Sequence, residues 1–105
     1  MVIEFESKSL KELYCTGKTQ DKLYKGLQTT IIKRYVKVVE KLKLTERIED
    51  LYCIKSLHYE KKKGNLNGIE AVWINKKYRL LFKSRISEDN IINTLSIKKI
   101  SKHYE

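Results

Sequence analysis

The residues able to do chemistry gather in one stretch, Leu57 to Phe82, which reads LHYEKKKGNLNGIEAVWINKKYRLLF. His58 opens it, and the run Lys61-Lys62-Lys63 leads into Gly64 before a second turn at Gly68. The imidazole suits proton transfer, because its unperturbed pKa of about 6.5 lies near working pH. From Glu70 to Asn75 the sequence reads as a strand, Asn75-Lys76-Lys77 as a turn, and Tyr78 to Phe82 as the returning strand. Alternation puts Tyr78, Leu80 and Phe82 on one face and Arg79, Leu81 and Lys83 on the other. A guanidinium in mid-strand is costly to bury unpaired, so the Arg79 face is expected to be open and to meet an anion. A basic sheet fed by a histidine and lysines predicts a phosphate-facing surface.

Composition bounds what can carry that surface. At 105 residues the chain predicts a single domain, 1–105, with one core. Lys and Arg number 23 against 13 Asp and Glu, a formal charge of +10 that favours a polyanionic partner, nucleic acid or an acidic protein. Cys15 and Cys53 have neither CxxC nor Cys/His spacing, so no metal site, disulfide framework or cofactor is indicated, and both are expected to be small buried groups in a reducing compartment. The opening MVIEFESKSL carries acids and no long apolar run, and nothing approaches the roughly 20 apolar residues of a membrane span. A cytoplasmic protein without membrane contact is expected.

The elements that must position the site follow from periodicity. Val2 to Glu6 alternates, with Ile3 and Phe5 on the buried side of a short strand. Ser9-Leu10-Lys11-Glu12 reads as a capping box, Leu10, Leu13 and Tyr14 as the stripe of a short helix, and Thr16-Gly17 as its stop. Asp21 to Leu44 is periodic for about six turns through Tyr24, Leu27, Ile31, Tyr35, Val38 and Leu42, which predicts one long helix despite the β-branched Thr29 to Ile32. Its opposite face, with Lys33, Arg34, Lys37 and Lys41, is expected to be a solvated surface. Thr45 is a fair N-cap for a further helical turn, Tyr52 to Leu57 is expected to enter the sheet, Ser84 to Asn90 to form a loop, and Ile91 to Ile100 the last strand. Trp73, Tyr78 and Phe82 are expected in the core. The predicted class is α+β: a small, mainly antiparallel sheet with both helices on one face, in the order β-α-α-β-β-β(-β).

These words in this order resemble the HigB branch of the RelE/ParE toxin superfamily, the toxic half of bacterial toxin–antitoxin pairs. The resemblance runs nearly the full length. It is carried by Lys-x-Leu-x-x-Leu-Tyr and Thr-Gly within Lys8 to Gly17, by Leu57-His58 ahead of Lys63-Gly64, by Asn-x-x-Tyr-Arg-x-x-Phe from Asn75 to Phe82, and by His103-Tyr104 near the end. It implies a ribosome-dependent endoribonuclease that cuts messenger RNA in the ribosomal A site, silenced by a HigA-like helix-turn-helix antitoxin in a hetero-oligomer. The family's site residues fall by position on His58, Lys63, Arg79, His103 and Tyr104, with Lys61, Lys62, Lys76, Lys77, Lys83 and Lys102 as RNA- or ribosome-binding cations. The segment between His58 and Lys63 is about two residues longer than the usual His-Pro-Leu-Lys-Gly, so Lys61 or Lys62 can take the role of Lys63. The common Asp-Tyr-His ending is here Lys102-His103-Tyr104-Glu105.

Metal-free RNA cleavage needs a base for the 2′-hydroxyl proton, an acid for the leaving 5′-oxygen, and cations for the charge that builds up on phosphorus. The resemblance gives Arg79 and Lys63 the charge-stabilising role, His58 and His103 the acid–base work, and Tyr104 stacking or a hydrogen bond to phosphate. Two other functions compete: a non-catalytic ParE-like gyrase poison, and a plain RNA-binding module indifferent to loss of both histidines.

Overall fold

The computed structural model describes residues 1–62, 68–88 and 93–102. In chain order they form β1 (Val2–Phe5), α1 (Lys8–Thr16), α2 (Thr29–Leu44), two short 3-10 turns (Ile48–Cys53 and Lys55–Leu57), β2 (Glu60–Lys61), β3 (Glu70–Trp73), β4 (Tyr78–Ile86) and β5 (Asn93–Lys102). The strands make one five-stranded sheet in the order β1-β5-β4-β3-β2. Neighbours are antiparallel except β1, which runs parallel to β5. The expected class, an α+β fold with a mainly antiparallel sheet, is what forms.

The first helix is capped by Ser7 rather than Ser9. Ser7 has the extended backbone of a cap, and its hydroxyl accepts the Leu10 N–H at 3.2 Å, whereas Ser9 is buried in the first turn. Gly17 ends the helix as expected, in a left-handed conformation (φ 76°) with its N–H on the Leu13 carbonyl at 3.0 Å.

The long helix is shorter than its periodicity predicts. It begins at Thr29, and the residues from Asp21 to Leu27 form turns. The Asp21 carboxylate accepts the Leu23 N–H at 2.9 Å, a local bond that competes with helix, and Gly26 adds a weak helix former just downstream. Tyr24 is nonetheless buried and Leu27 packs against the core, so the apolar period reports one continuous surface made by two pieces of backbone. Thr45 does not start a helix. It ends α2, its hydroxyl donating to the Lys41 carbonyl at 2.7 Å.

Tyr52 to Leu57 stays out of the sheet. The N–H groups of Ile54, Leu57 and His58 donate three residues back, to Leu51, Ile54 and Lys55, which buries Leu51 and Leu57 as 3-10 turns. At the other end β4 runs on to Ile86 through the expected loop, because Ser84, Arg85 and Ile86 all find partners on β5. Ile91 and Ile92, expected in the last strand, lie outside the described residues, and β5 continues past Ile100 through Ser101 and Lys102. Leu81 pairs with Lys99 and Phe82 with Ile97, so Lys98 is an extra residue, and this bulge lets Leu95, Ile97 and Ile100 all face the core.

The core lies between the helices and one sheet face. Leu10 and Leu13 of α1 and Tyr35, Val39 and Leu42 of α2 meet Val72, Leu80 and Phe82 there. The Tyr35 hydroxyl donates to the Leu10 carbonyl at 2.8 Å and ties the helices together. The opposite face carries a small second cluster of Ile69, Ala71 and Leu81. Both cysteines are exposed, contrary to expectation: Cys15 lies on the outer side of α1 and Cys53 at the end of a 3-10 turn.

Candidate functional site

Strand alternation decides which side chains share the face away from the helices. The register pairs Trp73 with Arg79 and Arg79 with Ser101 in one row, and Glu60 with Ala71, Ala71 with Leu81 and Leu81 with Lys99 in the next. Lys83 follows on the same face two residues beyond Leu81. Arg79 thus stands on the open face, near the start of the central strand β4.

The anion that meets Arg79 is internal. Its Nη1 lies 3.0 Å from the Glu60 carboxylate, which also takes the Lys62 ammonium at 2.7 Å. Arg79 is only 21% exposed and Glu60 47%, so the guanidinium is largely desolvated while its partner faces water. Arg79 Nε is buried and has no hydrogen-bond partner among the described residues. A phosphate arriving here meets a guanidinium whose carboxylate partner it must displace.

His58 is set beside this row by an unusual backbone. It has φ 46° and ψ 48°, the left-handed region, at the end of the second 3-10 turn. There its ring stacks on the Trp73 indole, with centroids 3.7 Å apart and planes 24° from parallel. Trp73 is half-buried: it is the platform under the histidine, a correction to its expected place in the core, where Phe82 does lie. Tyr78 is half-buried too and packs against the core.

A buried polar network fixes the strand that follows His58. The Tyr59 hydroxyl donates to one Glu70 oxygen, and the other accepts the Ser84 hydroxyl and, at 2.8 Å, the Ser84 N–H. Tyr59 also stands edge-on to Tyr52, with centroids 4.8 Å apart. Glu70 and Glu60 are the two residues of the site that its cationic and histidine pattern does not include. The available signals were Glu70 between Ile69 and Ala71, an acid in an apolar strand, and Glu60 at i+2 from His58.

The other expected cations are dispersed. Lys62 joins Arg79 through Glu60, and Lys61, paired in register with Glu70, belongs to the other face. Lys76 and Lys77 are exposed in the β3–β4 turn, which Asn75 holds by accepting the N–H groups of Lys77 and Tyr78, each at 2.8 Å. Lys102 ends β5 opposite Tyr78. Lys63, His103 and Tyr104 lie outside the described residues.

Comparison with known proteins agrees with the topology and the sequence words. The family model described as "RelE-like toxin of type II toxin-antitoxin system HigB" matches residues 3–99. The toxin HigB-1 of Vibrio cholerae serotype O1 is 29% identical over 82 residues, 78% of this chain and 82% of that protein. Among solved structures, a YoeB/ParE toxin from Agrobacterium tumefaciens superposes with a TM-score of 0.61 at 13% identity, covering 99% of this chain and all of that one. A chain of the YoeB-YefM complex from Staphylococcus aureus gives 0.55 at 21% identity, covering 99% and 98%. The two structures share the fold. With nearly its whole length matched by the family model, the chain belongs to the HigB-like family of RelE-like toxins of type II toxin–antitoxin systems.

Proposed function

We propose that this toxin is a ribosome-dependent endoribonuclease, cutting messenger RNA in the A site by metal-free acid–base chemistry and held silent by a helix-turn-helix antitoxin. The observation that carries the reading is the single row of a histidine stacked on Trp73 beside a desolvated arginine on the open sheet face. A base removes the 2′-hydroxyl proton, the 2′-oxygen attacks phosphorus, and the bond to the 5′-oxygen breaks as an acid protonates it, leaving a 2′,3′-cyclic phosphate. His58 and His103 divide the two proton transfers. Arg79, with Lys63, takes up the charge that develops on the non-bridging oxygens.

The test is primer extension on a defined message, with and without ribosomes. Wild type should give cuts in register with codons only when ribosomes are present. Arg79→Ala and His58→Ala should each slow cutting by about 100-fold or more, the usual weight of a charge-stabilising donor or a proton-transfer group. Full cutting by both variants would overturn the site. Growth arrest without any cuts would replace the nuclease by a poison that acts through protein contacts.

A further inference from the structure

Glu70 is an acid where the strand pattern calls for an apolar residue. It pairs in register with Phe82, on the face that packs against the helices, and it is buried. Burying a carboxylate is costly, and a well-packed apolar residue of similar size often serves stability as well or better. What the carboxylate adds is direction. One oxygen accepts the Tyr59 hydroxyl and the other the hydroxyl and N–H of Ser84, so one side chain ties the residue before β2 to β3 and β4.

The strand held in this way has little else to fix it. β2 is two residues long, with Glu60 opposite Ala71 and Lys61 opposite Glu70, and one further bond runs from the Lys62 N–H to the Ile69 carbonyl at 2.8 Å. The run Lys61-Lys62-Lys63 carries no register information, because a slip by one residue puts a lysine where a lysine was. Tyr59 breaks that degeneracy, with its ring buried 6.3 Å from that of Phe82 and its hydroxyl on Glu70. The residues on either side of Tyr59 serve the opposite face: His58 stacks on Trp73, and Glu60 holds Arg79 at 3.0 Å. A slip of one residue would turn Tyr59 outward and take both from their partners.

We propose that Tyr59, Glu70 and Ser84 form a register pin, which makes Tyr59 and Glu70 positioning residues for His58 and Glu60 on the other side of the sheet. The catalytic part of this inference rests on the nuclease reading. A fully bonded polar network selects one arrangement of the strands where apolar contact alone tolerates several. Misplacing a reacting group by about 1 Å costs about 100-fold in rate, so a pin remote from the cleaved phosphate acts on turnover.

The test joins urea melts, ribosome-dependent cutting and proton NMR on the full chain. The His58 imidazole stands over the Trp73 indole, whose ring current moves the imidazole protons upfield, and His58→Asn identifies their signals. Tyr59→Phe keeps the ring and removes the bond, and Tyr59→Phe/Glu70→Leu replaces the bonded pair by apolar groups. Glu70→Gln keeps an acceptor for the Tyr59 hydroxyl. Where the melts show them folded, the first two variants should lose the upfield displacement. They should also cut about 10- to 100-fold more slowly at saturating ribosomes, with the half-saturating ribosome concentration unchanged. Glu70→Gln should bring both readouts back towards wild type. A folded double variant with wild-type shifts and rate would overturn the pin. So would a Glu70→Gln variant as impaired as the double variant, which would assign the effect to the buried charge. If the double variant does not fold, Tyr59→Phe alone decides, since it keeps the packing of the ring. The NMR readout needs no cleavage, so failure of the nuclease reading shows separately, as displaced shifts in the variants without ribosome-dependent cuts by wild type.

Discussion

Glu60 sets how available Arg79 is. An ion pair with one partner half exposed is worth about 0–1 kcal/mol, yet an arriving phosphate must compete with it for the same guanidinium. Replacing Glu60 by Gln keeps the shape, removes the competing charge from both Arg79 and Lys62, and leaves a weaker amide contact. Affinity for uncleavable RNA should rise by up to about fivefold, the equivalent of about 1 kcal/mol. Anisotropy titration of Glu60→Gln beside wild type measures it. Weaker binding would show instead that the carboxylate serves the site by orienting Arg79. From sequence, Arg79 announces itself as a cation in mid-strand. Its partner does not, because Glu60 reaches Arg79 only once β3 has brought β2 and β4 to either side of it.

The turn into β2 holds the histidine and shows how much of the fold is legible element by element. His58 sits at φ 46°, where a β-branched side chain is strained and Asn is comparatively well tolerated. His58→Asn should therefore keep stability within about 1 kcal/mol of wild type and lose cutting, whereas His58→Val should lose both, with a stability cost of about 1–2 kcal/mol or more. Urea melts beside primer extension separate the two effects, and equal stability of the Asn and Val variants would refute the conformational argument. This turn carries no sequence mark, since a 3-10 turn ending in a left-handed histidine has no glycine to announce it. The β3–β4 hairpin is legible in the sequence, because Asn75 is a local turn former and alternation on both sides is unbroken. The start of α2 departs from the apolar period for a physical reason: burial of Tyr24 and Leu27 gives the same apolar spacing whether or not the backbone is helical. The end of β4 has no local signal, because Ser84, Arg85 and Ile86 are held by partners on β5, a distant pairing that no local pattern of polar residues reveals.

At the scale of the whole molecule, the core stakes its stability on tyrosine hydroxyls. Tyr24, Tyr35 and Tyr59 are buried, and burial raises all three above the usual phenol pKa of 10, with the Glu70 carboxylate adding to the shift at Tyr59. The native state keeps these protons where the unfolded chain gives them up. Their stabilisation is intact below about pH 10 and is lost as pH climbs from there towards the raised native values, each fully shifted group contributing a slope of about 1.4 kcal/mol per pH unit. Deprotonation of lysines over the same range lowers the net positive charge and relieves self-repulsion, which works the other way. The two effects separate by substitution, because a phenylalanine removes one titration and leaves the lysines alone. Tyr59→Phe should cost about 1–3 kcal/mol at pH 7, where Glu70 loses a donor, and Tyr35→Phe about 1 kcal/mol through the bond to Leu10. Between pH 10 and 11 each variant should lose about 1 kcal/mol less stability than wild type, because the unfolded phenol is only half ionised at pH 10. Urea denaturation of the three proteins at pH 7, 9, 10 and 11 tests this directly. Parallel pH profiles would mean that the phenols titrate alike in the native and unfolded states, and that alkaline lability arises elsewhere in the chain.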